Sequence, residues 1–193
     1  MADTSSTRAT QPGDRSDDPT PTPAPSLAAS LPPNPTTTAT SEPTATDDAA
    51  LLAHVQSVWD RIRPNSTIYR LLLSDVVLVS ARPGRFVARL ALQPVHLNSN
   101  QTLHGAVSAA IVDWAGGMAI ATTGRAKTGV STDIHVTYAS AARLGDTIEI
   151  DARANRVGRN LGFTTVEIRK LPAADGGEAT VVCTGSHTKY VNI

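Results

Sequence analysis

A single carboxylate stands in the most apolar stretch of the chain. Residues 98–122 read NSNQTLHGAVSAAIVDWAGGMAIAT, polar at first, turning through His104-Gly105, then apolar or small for about five helical turns. Asp113 is the ionisable group in the middle of that run. Positions 109, 110, 116 and 117, one turn to either side, hold no Lys or Arg to pair with it. A helix that is apolar all round is normally buried, and an acid inside it is costly to ionise without a partner. A buried carboxylate with no local counter-charge is a candidate base or nucleophile. An Asp that merely ties down a neighbouring loop would give the same local sequence.

Other chemistries lack their residues. His54, His96, His135 and His187 show no metal-ligand spacing such as HExxH, so no metal is expected. There is no GxSxG nucleophile elbow, and no glycine-rich loop for a dinucleotide or phosphate, so no cofactor is expected. Residues 1–48 carry seven acids and two bases, which leaves ten acids and fifteen bases in the remainder. That excess is scattered, without a basic stripe interleaved with aromatics, and does not suggest nucleic acid.

The elements that must position Asp113 can be read from periodicity. Residues 1–48 hold nine of the thirteen prolines and seventeen Ser or Thr, with no aromatic residue, and are expected to form a disordered tail. A domain is expected over 49–193, opening with a short helix after Asp47-Asp48, whose apolar positions Leu51, Leu52, Val55, Val58, Trp59 and Ile62 recur until Pro64. A second short helix or turn follows near Ile68–Leu73. Val76–Val79 and Phe86–Leu92, joined by Arg82-Pro83-Gly84-Arg85, read as a hairpin. After the apolar helix come four strands, Ser131–Tyr138, Thr147–Val157, Gly162–Leu171 and Ala179–Val191. This order predicts an α+β fold in which one antiparallel sheet of about six strands wraps a single long central helix. One cysteine, Cys183, excludes an intrachain disulfide and suits a reducing compartment. No run of 18 apolar residues spans a membrane, and the N-terminus lacks a secretory apolar core. A soluble cytoplasmic protein is the default expectation, with mitochondrial or peroxisomal placement left open.

The order and the motifs resemble the hotdog-fold acyl-CoA thioesterases, in the branch that holds the bacterial phenylacetate-pathway enzymes and animal thioesterase superfamily member 2. The residues that carry the likeness are Val79–Gly84, Asn98 with Thr102-Leu103-His104-Gly105, Val112-Asp113, Gly129-Val130-Ser131, Val136-Thr137-Tyr138 and His187-Thr188-Lys189. The likeness covers residues 50–191, and residues 1–48 have no counterpart. His104-Gly105-Ala106 stands where the animal enzyme has His-Gly-Gly.

Thioester hydrolysis needs a donor for the carbonyl oxygen and a base or nucleophile at the carbonyl carbon. Gly105 opens the helix, so its N–H points outward with the positive end of the dipole behind it. Asp113 would activate water or attack directly, with its pKa expected to be raised by burial. The resemblance implies Asn98 as a second polar contact at the reacting centre and Ser131 as the group orienting the water. His104 is counted with the site as a residue that orders the loop, because the acid already supplies the base. Tyr138, Arg159, Asn160, His187 and Lys189 lie where the family binds coenzyme A, although solvated strand ends would look alike. Gly105 and Asp113 are eight residues apart, about 12 Å along one helix. They cannot meet at one carbon within one subunit, so the active site is expected across a homodimer interface; the resemblance extends this to a dimer of dimers. The expected function is hydrolysis of a fatty or aryl acyl-CoA. The alternatives are a non-catalytic acyl-CoA sensor or scaffold, which would not need Asp113, and a hotdog enoyl-CoA hydratase, which needs a differently placed acid–His pair.

Overall fold

The computed structural model describes residues 45–173 and 177–193. Of the expected disordered tail, residues 1–44 lie outside the described residues, as do residues 174–176 of the loop after Pro172. Helix α1, Ala45–Ile62, starts four residues ahead of the expected domain boundary, with Asp47 and Asp48 in its first turn. Acids there suit the positive end of the helix dipole. Asp48 also accepts a bond from Arg82 Nε at 3.0 Å, which ties the helix to the first hairpin.

The hairpin is β1, Val77–Arg82, and β2, Arg85–Ala91. Gly84 takes φ +75 in the turn between them, a conformation glycine adopts without steric cost. Strands β3 (Val130–Tyr138), β4 (Thr147–Val157), β5 (Leu161–Lys170) and β6 (Thr180–Tyr190) complete one antiparallel sheet in the order β1-β2-β4-β5-β6-β3. Each expected strand is present, with ends shifted by no more than three residues. Between α1 and β1 lies α2, Thr67–Leu72, N-capped by the Ser66 hydroxyl, which accepts from Tyr69 N–H. His96 Nε2 meets the Leu72 carbonyl at 2.9 Å at its other end.

Helix α3, Gly105–Ala121, runs along the sheet. From Trp114 to Ala121 it is buried on every side, which explains why its sequence shows no polar face. Trp114 packs edge-on against Trp59 of α1 and Phe86 of β2, with ring centroids 5.2 and 5.4 Å apart. Gly116 lets the sheet approach: a Cβ there would lie 2.7 Å from Thr164 Oγ1 and 2.9 Å from His187 Nδ1. The N-terminal half of α3 is covered on one side only. Ala106, Ala109, Ala110 and Asp113 form a stripe at helical spacing that stays exposed or half-buried.

Strand β3 is the most exposed of the six. It sits at the sheet edge, paired only with β6, and Val130, Ile134 and Tyr138 are 58%, 40% and 58% exposed. Alternation of apolar residues marked it as a strand but could not show what would cover it.

Candidate active site

Asp113 is locally unpaired in sequence and meets three donors in space. Its Oδ1 accepts from Lys189 Nζ at 2.9 Å and from the Ser131 hydroxyl at 2.8 Å, and its Oδ2 accepts from the Tyr69 hydroxyl at 2.7 Å. The donors come from three elements. Antiparallel pairing sets Ser131 of β3 opposite Lys189 of β6, so both reach the same carboxylate oxygen. Tyr69 comes from α2, with its ring against Trp59.

His187 lies behind this cluster, 1% exposed, with Nε2 3.0 Å from Ser131 Oγ and 3.6 Å from Asp113 Oδ1. The Ser131 hydroxyl thus bridges the imidazole and the carboxylate. Burial, together with the neighbouring Lys189 charge, holds the imidazole down to about 4, so the ring is neutral at physiological pH. The His187 side chain is fully buried behind the carboxylate.

The expected rise of the Asp113 pKa is corrected. Burial does push it up, but the Lys189 ammonium and the bonds from Tyr69, Lys189 and Ser131 outweigh burial and hold the carboxyl below its ordinary value. Hydrogen bonds to the charged form stabilise that form. Asp113 is therefore an ionised carboxylate, about a quarter exposed, aimed out of the stripe on α3.

A second group gathers at the start of α3. His104 is its N-cap, and its Nδ1 accepts from Ala106 N–H at 3.0 Å. This bond holds the ring against the first turn of the helix. Val107 and Ser108 N–H both bond the His104 carbonyl, while Gly105 N–H has no acceptor among the described residues. Asn98 Oδ1 accepts from Asn100 and Thr102 N–H and so shapes the loop leading into the helix, in which Gln101 takes φ 57. The Tyr138 hydroxyl donates to the Gly105 carbonyl at 3.1 Å, an approach that the missing Cβ permits. Asn98, Gly105 and Tyr138 share the wall of a cavity of about 520 Å³.

The five residues expected at coenzyme A are thus not gathered in one place. Tyr138 stands beside Gly105, His187 and Lys189 are buried against Asp113, and Arg159 and Asn160 sit exposed in the β4–β5 turn. There Asn160 accepts from Val191 N–H at 2.8 Å. Cys183, Gly185, His187 and Lys189 alternate along β6 and all face α3. Tyr69 gave no sequence sign: it lies 44 residues from Asp113 on a helix of six residues. Among the described residues, no three His, Cys, Asp or Glu side chains are placed to hold a metal ion, and no helix is long and apolar enough to cross a membrane.

The sequence profile described as "Thioesterase superfamily" matches residues 100–175, which take in Gly105, Asp113 and Ser131. Human acyl-coenzyme A thioesterase 13 is 34% identical over 123 residues, 64% of this chain and 84% of that protein. A putative esterase of Schizosaccharomyces pombe is 35% identical over 142 residues, 73% of this chain and 84% of that protein. The crystal structure of zebra fish thioesterase superfamily member 2 superposes with a TM-score of 0.60 at 33% identity, covering 74% of this chain and 96% of that one. With the sheet wrapped on one long helix and the acid in mid-helix, these likenesses show that the chain belongs to the thioesterase superfamily, the thioester hydrolases built on the hotdog fold.

Proposed function

We propose that this protein hydrolyses acyl-CoA thioesters to the free acid and coenzyme A, in an active site completed by two copies of the chain. The observation that carries the reading is the pairing of two complementary half-sites on one uninterrupted helix. An ionised, donor-supported Asp113 stands two turns from a helix N-terminal Gly105 N–H that has no acceptor among the described residues. Asp113 takes a proton from water as the water oxygen bonds the carbonyl carbon, or attacks that carbon itself to give a mixed anhydride that water then hydrolyses to the free acid and the carboxylate. The carbonyl oxygen gains negative charge against Gly105 N–H, and the C–S bond then breaks with the thiolate of coenzyme A leaving.

Separation along α3 requires a neighbour's helix to bring Gly105 and Asn98 to the partner's carboxylate. The open edge β3 and the small-residue stripe of α3 support that assembly, because an apolar unpaired edge invites another chain. A pair of such dimers belongs to the same reading. The acyl group, fatty or aryl, suits the apolar groove of about 330 Å³ between Ile68, Leu72, Val95 and Val107, which reaches His104.

Thiol release from a panel of acyl-CoA substrates tests the activity. Asp113→Asn keeps the volume and removes the base or nucleophile, so turnover should fall by about a hundredfold or more with the fold intact. Near-normal turnover in the folded variant would remove Asp113 from the reaction and favour a non-catalytic acyl-CoA binder.

A further inference from the structure

The three donors to Asp113 are shared unequally between its two oxygens. Lys189 and Ser131 both bond Oδ1, and Tyr69 is the donor to Oδ2. A carboxylate offers about four lone-pair positions, two on each oxygen. Oδ1 is therefore saturated, and the remaining position is on Oδ2, beside Tyr69. Those two bonds restrain rotation about χ2, a torsion that is broad at an sp²–sp³ bond, from the Oδ1 side. The Tyr69 bond restrains it from the other side, at the oxygen that keeps a free position.

Tyr69 is built to hold still. Its ring packs on Trp59 with centroids 5.9 Å apart, its backbone N–H is capped by Ser66 Oγ, and the end of α2 is bonded through Leu72 to His96. Burial, reinforced by the Asp113 charge and hydrogen bond, raises the pKa of its hydroxyl, so the group stays protonated and keeps donating. Helix α2 is outside the sheet and α3, so the orientation of the carboxylate depends on an element that the central framework does not supply.

We infer that Tyr69 is a positioning residue for hydrolysis, holding the Asp113 carboxyl plane so that the free position on Oδ2 faces the thioester carbon. The inference rests on the reading that Asp113 acts on the substrate. It assigns to α2 a role in the chemistry beyond its part in the wall of the apolar groove.

Tyr69→Phe tests it, since the ring and its packing on Trp59 remain and the hydroxyl alone is lost. A hydrogen bond to a charged group is worth enough to expect about a tenfold fall in kcat with KM little changed. Loss of a bond to the ionised form should also move the acid limb of the kcat/KM profile to higher pH. Replacing Tyr69 with 3,5-difluorotyrosine, a stronger donor, should move that limb to lower pH, and it serves equally if the Phe variant folds poorly. A merely structural Tyr69 would change the thermal midpoint and leave both limbs in place, which overturns the inference. The carboxyl ¹³C resonance of Asp113, assigned by its absence in Asp113→Asn, gives a readout independent of turnover. Lack of hydrolysis by the wild type would defeat the functional reading. An Asp113 titration unmoved in Tyr69→Phe would defeat the inference about Tyr69.

Discussion

Lys189 Nζ lies 2.9 Å from Asp113 Oδ1 across 76 residues of sequence, and it supplies the counter-charge that the helix around Asp113 lacks. The ammonium is nearly fully buried, and the carboxylate is about a quarter exposed, so the pair is screened far less than one at the surface. Burial alone would leave Asp113 a weak acid, and Lys189 is the largest influence opposing that.

Lys189→Met should therefore raise the Asp113 pKa, with burial no longer opposed by a charge. The acid limb of kcat/KM is expected to shift upward in pH, and the rate on the plateau to fall by about tenfold as a charge-assisted bond is lost. A pH profile identical to that of the wild type would show that Lys189 does not set the carboxylate.

His187 makes acid stability a readout of the same cluster. Its pKa falls from 6.5 to about 4 on folding, so the buried neutral ring contributes stability above pH 6.5 that is lost as the pH drops toward 4. The full contribution is on the order of 3 kcal/mol. Asp113, also depressed, loses its contribution only below its ordinary 3.8, outside that window. His187→Gln should flatten the dependence of Tm on pH between 6.5 and 4. Equal slopes in the two proteins would refute it.

Gly116→Ala sets two effects of opposite sign against each other. Alanine improves helix propensity by about 1 kcal/mol. The new Cβ, however, meets Thr164 Oγ1 at 2.7 Å and His187 Nδ1 at 2.9 Å, both on buried strand residues with no room to retreat. Overpacking costs about 1–3 kcal/mol, so denaturant unfolding should show a net loss of stability. A more stable variant would mean that helix and sheet are not in such close contact.

Subunit exchange tests the shared site. Asn98→Ala disrupts the loop before Gly105, and Asp113→Ala removes the acid, so each variant should be nearly inactive alone. In a mixed dimer one site carries both lesions and the other none. Random pairing makes half of the dimers mixed, and recovered activity should approach about a quarter of wild type. If both residues served one site within a chain, mixing would restore nothing, and no rescue with exchange confirmed by a tagged subunit would end the two-chain reading.

The long apolar helix, the period-two strands, the hairpin turn at Gly84 and the acid in mid-helix were all legible in the sequence, because each is written in the local spacing of residue types. So was the distance between Gly105 and Asp113, since an α-helix converts residue count directly into length. What surrounds Asp113 was not legible. Tyr69, Ser131, His187 and Lys189 lie 44, 18, 74 and 76 residues away from it in the chain, and strand pairing and helix packing alone bring them together. The sign of the Asp113 pKa shift turned on those contacts. Burial could be inferred from the apolar run, but the opposing charge belongs to a strand at the other end of the chain, and only the tertiary structure places it on the carboxylate.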